Sequence, residues 1–383
     1  MRFSLIYEAQ VVEVSRGSDH RVFRQILEQV DLAEELGFDV VWAVEHTALN
    51  QYAHMSAPET FLAFVAGRTR RIGIGHGVVC LPPMMNHPVK VAERIATLDI
   101  LSGGRVHFGI GKGGTQQEAG TFGYQKADAA EMVDEMMYLV PRIMAEESLA
   151  HDGKWVQFEE RSIHPKPMQD PHPPMYLACT GDESLTIAGS RGIGALAFGF
   201  GGLDQVARKN RIYREAWNGR DPADQVGFVP TEHFAALCPV IIDEDREKAR
   251  RIGLRGQRFF IESLNQWATG TPAPDVDSWG DDVTSVTEDG KMVVSIGSEN
   301  IEVDFSTPSG ALFNPHNAYG TVDDAIHYVQ ALIDAGADEV LFMTQMGTVP
   351  QDIQLQTLRS LGEQVIPHFR AQGARVGLEA AVA

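Results

Sequence analysis

The sequence predicts an α/β fold, a (β/α)8 TIM barrel with loop insertions, on three observations. Eight short apolar runs punctuate the chain, and nearly all are followed by a longer segment with helical spacing. The runs are continuously apolar instead of alternating, as in parallel strands covered on both faces. The 383 residues exceed a minimal barrel by an amount that loop insertions account for.

Taken in order, Phe3–Tyr7 is the first strand and Arg21–Leu36 its helix. Val40–Val44 precedes Pro58–Arg68, and Ile72–Leu81 precedes Pro88–Leu101; both helices open on a proline, which suits the first turn. Val106–Ile110 is followed by Asp128–Glu146, Met175–Cys179 by Glu183–Ser190, and Ala195–Phe198 by Asp204–Trp217. Phe234–Ile241 leads into Asp243–Trp267. A helix at Val322–Ala335 then precedes the last strand, Glu339–Thr344, and its helix Gln351–His368. One domain, 1–383, is expected, with two excursions. Residues 151–174 read as a hairpin and a proline-rich connector. Residues 270–312 read as a loop insertion with an Asp-Gly turn in "EDGK", longer than structureless connections usually are and placed to act as a lid.

Composition narrows the function. A net charge of −20 argues against nucleic acid or an anionic membrane as partner, since both require a basic footprint. Cys80, Cys179 and Cys238 are an odd number, far apart and without CxxC, so neither a disulfide framework nor structural zinc is expected. The histidines show no metal spacing. With no signal-like or membrane-spanning run, a cytoplasmic protein is expected.

Candidate chemistry begins in "GFDVVWAVEH", where an apolar strand ends in Glu45 and His46. Barrel active sites lie at the carboxyl ends of strands, and a histidine there can move protons near neutral pH. The bland alternative is a charged surface turn. In "GRVHFGIGKGG", Gly109, Gly111 and Gly114 satisfy GxGxxG, but no helix begins within the glycines, so a dinucleotide turn, and with it an NAD(P)-dependent dehydrogenase, is disfavoured. Lys112 in that loop suits an anionic ligand. In "YLACTGDES", Thr180 or Asp182 would cap a helix whose N-terminus can hold an anion, although an ordinary cap explains the residues as well. His87 before Pro88 suggests a capping or loop-fixing role. Tyr7, Met84, Met85, Phe198 and Phe200 suggest an apolar pocket, as core packing also would. HExxH, GxSxG and Walker sequences are absent.

Together "LAEELGFDVVWAVEH", "GHGVVCLPPMMNHPVKVAERIATLDILSGGRVHFGIGKG", "TFGY", "YLACTGDES" and "NAYGTVDDA…GADEVLFMTQ" resemble the bacterial luciferase-like, flavin-dependent monooxygenase superfamily, in the family's order. The resemblance implies a barrel that receives reduced FMN from a separate flavin reductase. Dioxygen would add to give a C4a-peroxyflavin, which oxygenates a small, hydrophobic organic substrate. It implies that His46 is the active-site histidine, with Glu45 on the flavin or in support. Gly77 and Val78 match a non-prolyl cis peptide under the ring. Gly111, Lys112, Cys179, Thr180 and Ser184 match the cofactor-binding positions, Lys112 replacing an arginine. Ala130 stands where a further basic residue is common, with Lys126 a turn away. A homodimer is also implied. Two competitors remain: a deazaflavin (F420)-dependent hydride-transfer enzyme on the same barrel, and a non-catalytic flavin-binding homologue.

Overall fold

A computed structural model describes residues 1–199, 201–279, 285–286, 292–296, 299–302 and 317–371. The chain opens with β1 (Arg2–Tyr7), α1 (Arg16–Leu36), β2 (Val40–Ala43), α2 (Pro58–Arg68), β3 (Gly73–Cys80), α3 (Pro88–Ser102) and β4 (Val106–Gly111). A short helix, α4 (Gln116–Thr121), and α5 (Ala129–Ala145) follow. A hairpin of β5 (Leu149–Asp152) and β6 (Gln157–Arg161) then leads to β7 (Met175–Cys179), α6 (Asp182–Ser190), β8 (Gly194–Ala197), α7 (Leu203–Asn218), β9 (Phe234–Ile242) and α8 (Arg246–Thr269). Within the insertion, a 3-10 turn at Val276–Trp279 comes first, and β10 (Ser285–Val286), β11 (Met292–Ile296) and β12 (Glu299–Glu302) pair antiparallel; the "EDGK" turn and residues 280–284, 297–298 and 303–312 of the expected lid lie outside the described residues. The chain continues through β13 (Ala318–Gly320), α9 (Val322–Asp334), β14 (Glu339–Met343) and α10 (Gln351–Ser360), which runs on through a π-helical turn at Leu361–Val365.

Eight parallel strands close in the order β1, β2, β3, β4, β7, β8, β9, β14 and back to β1, with β13 added beside the far end of β9. All eight expected barrel strands are present. They are legible because each is buried on both faces: all nine residues of β9 and all five of β14 are buried. The α1 helix starts earlier than its apolar spacing suggests, because the Ser15 side chain accepts from the Ser18 amide and caps it.

The lower interior of the barrel is a closed network. Glu339 accepts from Trp42 Nε1 at 2.8 Å and meets His233 Nε2 at 2.7 Å, while the Tyr176 hydroxyl bonds Arg2 and His107. Burial opposes the Glu339 charge, but these partners overcome it and hold its carboxyl down at about 2. The rings of Trp42, Tyr176, His107 and His233 pack edge to face or tilted across the space.

Between β3 and β4 the register slips. His76 opposes Phe108 and Val79 opposes Ile110, so three steps of β3 run against two of β4 and Gly77–Val78 bulge. The bulge dictates the neighbouring glycines. A Cβ on Gly109 would lie 2.1 Å from the His76 carbonyl oxygen, and one on Gly111 would lie 2.5 Å from Val78 Cγ2. The pattern GxG in β4 therefore serves strand packing. Among the described residues no helix is long and apolar enough to cross a membrane.

Candidate active site

Successive residues of an extended strand point to opposite faces, and this separates Glu45 from His46. Trp42 and His46 share the face turned to the barrel axis. Glu45 faces outward, where its carboxylate accepts from the Cys80 amide at 2.6 Å and the Asn86 side chain at 2.9 Å. Arg94 in turn donates to Asn86 at 2.7 Å and pairs with Glu59. Burial raises the Glu45 pKa despite the bonds from Asn86 and Cys80. The geometry makes Glu45 a tie between the end of β2 and the loop after β3.

The partner of His46 is a residue that sequence reasoning misses. Glu118, fully buried on α4, accepts from His46 Nδ1 at 2.9 Å. Its other oxygen accepts from the Gly114 amide at 3.0 Å, the Thr115 amide at 2.9 Å and the Thr115 hydroxyl at 3.0 Å. Thr115 and Glu118 form the capping box of α4, so one carboxylate both starts the helix and holds the imidazole. A helix of six residues shows no apolar period, but "TQQE" carries the capping-box spacing that could have revealed it. Gly113, at φ +76, makes the turn that brings this loop back over His46.

The electrostatics follow from these contacts. Burial works against charge on His46, but the Glu118 hydrogen bond and the Glu8, Glu118 and Glu45 charges outweigh it and raise its pKa. Burial likewise opposes the Glu118 anion, yet its bonds to His46, Gly114 and Thr115 keep its pKa low. Glu8, at the end of β1, stands 3.8 Å from His46 Nε2 and is 1% exposed. The loops after β1 and β2 are sewn together by backbone bonds from His46 to Met55, Met55 to Glu8, His54 to Ala9 and Val11 to Gln51. Ala9, Ala48 and Gln51 adopt left-handed backbone there, a cluster of strain of the kind found where a site is held in one shape.

The His46 ring lies 5.3 Å from Tyr52, which meets Phe260 edge-on, and Phe260 packs against Phe198. On its other side His46 borders an open groove of about 680 Å3 between α1 and α2, lined by Phe23, Leu27, Leu49 and Phe61 and by none of Gly77, Val78, Gly111, Lys112, Cys179, Thr180 or Ser184. Of the other apolar candidates, Tyr7 is buried, Met85 half-buried and Met84 exposed; Phe200 lies outside the described residues.

The remaining expected cofactor residues surround the same end of the barrel. Gly77 and Val78 form the bulge, with a trans peptide: the cis bonds among the described residues precede Pro165 and Pro171. The expected cis bond is thus replaced by the bulge, and a trans amide avoids a cost of about 3–4 kcal/mol. Gly111 ends β4, and Lys112 beyond it is exposed and makes no ion pair among the described residues. Thr180 is exposed at the end of β7. The N-cap of α6 is Gly181, not Thr180 or Asp182. Ser184 reaches back to it, its hydroxyl donating to the Gly181 carbonyl at 2.8 Å, while Asp182 is drawn off to Arg208. Cys179 is buried and its thiol, pushed up to about 12 by burial, donates to the carbonyls of Leu177 and Ser184. Lys126 and Ala130 are both exposed. His87 contributes no side-chain cap to α3.

Known proteins resemble this chain in sequence and in fold. A family profile described as luciferase-like monooxygenase matches residues 1–280. Limonene 1,2-monooxygenase of Rhodococcus erythropolis is 31% identical over 262 residues, 66% of this chain and 64% of that protein. The match therefore spans less than two thirds of that relative's length. The oxygenase component of a flavin-dependent trigonelline monooxygenase from Acinetobacter baylyi is 30% identical over 200 residues, 50% of this chain and 52% of its own. The crystal structure of monooxygenase RslO1 from Streptomyces bottropensis superposes with a TM-score of 0.75 at 26% identity, covering 96% of this chain and 100% of that one. Other relatives are F420-dependent oxidoreductases. With the profile matched over residues 1–280, most of the chain, and the barrel shared with a solved monooxygenase, the chain belongs to the luciferase-like monooxygenase family.

Proposed function

We propose that this protein is a monooxygenase that uses reduced FMN and dioxygen to oxygenate a small, uncharged, apolar organic molecule. The observation that carries this reading is His46: a partly exposed imidazole at the carboxyl ends of the strands, beside an open groove, with Nδ1 committed to a buried carboxylate. That commitment leaves Nε2 as the atom that gives or takes a proton at a ligand oxygen.

The residues present fit a flavin. Lys112 is a cation without a carboxylate partner among the described residues, and Thr180 offers an exposed hydroxyl at the start of α6. With the first-turn amides of α6, they would hold the phosphate end. Cys179 and Ser184 brace that turn from within. Gly77, Val78 and Gly111 would border the ring. Bound reduced flavin would supply the electrons that activate dioxygen. Tyr52, Phe198 and Phe260 form an apolar wall that keeps water from the reacting atoms. Glu45 acts by fixing the loop after β3. A separate reductase as source of reduced flavin, and association as a homodimer, belong to the same reading; the oxygenase component among the relatives supports the former.

The test is isotopic. Protein loaded anaerobically with reduced FMN is exposed to 18O2 with a panel of terpene, aromatic and alkyl ketone compounds. One labelled oxygen per product molecule is expected. Absence of label, with anaerobic turnover on reduced F420 instead, would replace this reading by hydride transfer, the chemistry named for several relatives.

A further inference from the structure

Glu8 is a buried acid that the proposed chemistry leaves without a task. Its carboxyl oxygen Oε2 is sealed from solvent and has no hydrogen-bond partner, a state that buried polar atoms rarely occupy without reason. Three titratable groups face it: His46 and Tyr52 from the loop after β2, and Glu118 from α4. Among these, His46 Nε2 is 3.8 Å from Oε2. That is about 1 Å beyond hydrogen-bonding distance. Because Oε2 has no bond to surrender, a small rotation of the side chain closes the gap.

The geometry points to Glu8 as a private proton store for His46. The cycle rests on the proposed role of His46, and its atoms and charges balance. Imidazolium gives the proton on Nε2 to a ligand oxygen, leaving the lone pair on Nε2. That lone pair then takes the proton of the Glu8 carboxyl, restoring imidazolium and leaving a carboxylate. No electrons change owner. The restored imidazolium stabilises the carboxylate, with the Tyr52 hydroxyl facing it, until the ligand leaves; Nε2 of the partly exposed ring then hands its proton to Glu8 and takes a fresh one from solvent, which closes the cycle. His46 Nδ1 stays with Glu118 throughout, so the ring keeps its orientation while its other nitrogen is refilled.

Protonation suits the task. Burial, the largest influence, and repulsion from Glu118 push the Glu8 carboxyl up to about 7, against the pull of His46 and Tyr52. The group is therefore part-loaded at neutral pH, where a store can both give and receive. Glu118, with its five donors and lowered pKa, cannot serve: it holds an orientation and no exchangeable proton.

Full-length Glu8→Gln and Glu8→Asp variants test this, read first by NMR titration of the His46 ring without flavin or substrate. In the native protein His46 should titrate in two coupled steps; in Glu8→Gln it should show one, at lower pH, and in Glu8→Asp two again. A His46 titration that Glu8→Gln leaves unmoved overturns the proposal, whatever reaction the enzyme performs. The second readout is turnover of reduced FMN and dioxygen. A fall of at least tenfold in kcat with unchanged KM, a displaced pH profile and partial recovery in Glu8→Asp are expected. A loss in KM alone, or equal loss in both variants at every pH, would assign Glu8 a packing role and overturn the store.

Discussion

Replacing Glu118 by glutamine keeps shape and removes charge, and the surrounding donors determine how the new side chain must sit. One carboxylate oxygen faces three donors, the Gly114 and Thr115 amides and the Thr115 hydroxyl; the other faces His46 Nδ1 at 2.9 Å and, at the longer distance of 3.4 Å, the Thr47 amide. A glutamine must turn its carbonyl to the two amides, because its NH2 would meet them donor to donor. The NH2 then points at Nδ1, which can accept it only as neutral imidazole protonated on Nε2. A charge-assisted bond worth about 1.5–3 kcal/mol is lost, which corresponds to a fall of about one to two pH units in the His46 midpoint. Burial, the influence that lowers the midpoint, is then less opposed. Stability changes with a definite sign. The native pair contributes fully below the unfolded histidine value of about 6.5 and is lost as pH rises through the raised folded midpoint. Unfolding of the variant should therefore depend less on pH between these points. The assay is a 1H–13C titration of the His46 ring beside denaturant unfolding at several pH values. A midpoint within a few tenths of the native value would refute the assignment of Glu118 as the group that charges His46.

Four further outcomes are expected. His46→Ala should retain the fold, read by circular dichroism, and lose turnover by roughly 100-fold or more; unaltered turnover would remove His46 from the chemistry. Gly109→Ala places a methyl on the His76 carbonyl oxygen and should lower stability by about 1–3 kcal/mol in thermal or denaturant unfolding. Glu45→Ala strands the Cys80 amide and leaves the Asn86 NH2 only the Cys80 carbonyl, and should cost about 1–3 kcal/mol, while the His46 titration shifts little compared with Glu118→Gln. Lys112→Ala should weaken reduced FMN binding a few-fold, about 0.5–1 kcal/mol for an exposed cation, with the native advantage fading as salt is added.

How much can be read from the sequence depends on which forces act locally. The barrel strands and most helices announce themselves because burial on two faces, or on one helical stripe, leaves a pattern in every stretch of ten residues. The end of β2 is also readable as a site. The pairing of Glu45 with His46 as neighbours in function is not, since adjacency along an extended chain means separation across the sheet. Glu118 lies 72 residues from His46, and no local pattern reports that distance; its capping box is visible, its second duty is not. The spacing around the β4 glycines already disfavours a dinucleotide turn. Their actual cause, a bulge in β3 that presses on them, exists only once the two strands are side by side. Glu8 reads in sequence as an ordinary charged residue at a strand end, and its isolation is purely a matter of what closes around it.

The interlocked Trp42, Tyr176, His107, His233 and Glu339 act as a stopper in the lower bore of the barrel. It fills the space between the amino-terminal ends of the strands with packed rings and paired charges. The exposed part of the His46 imidazole lies on the opposite, strand-end side, so a ligand that reaches it meets it there.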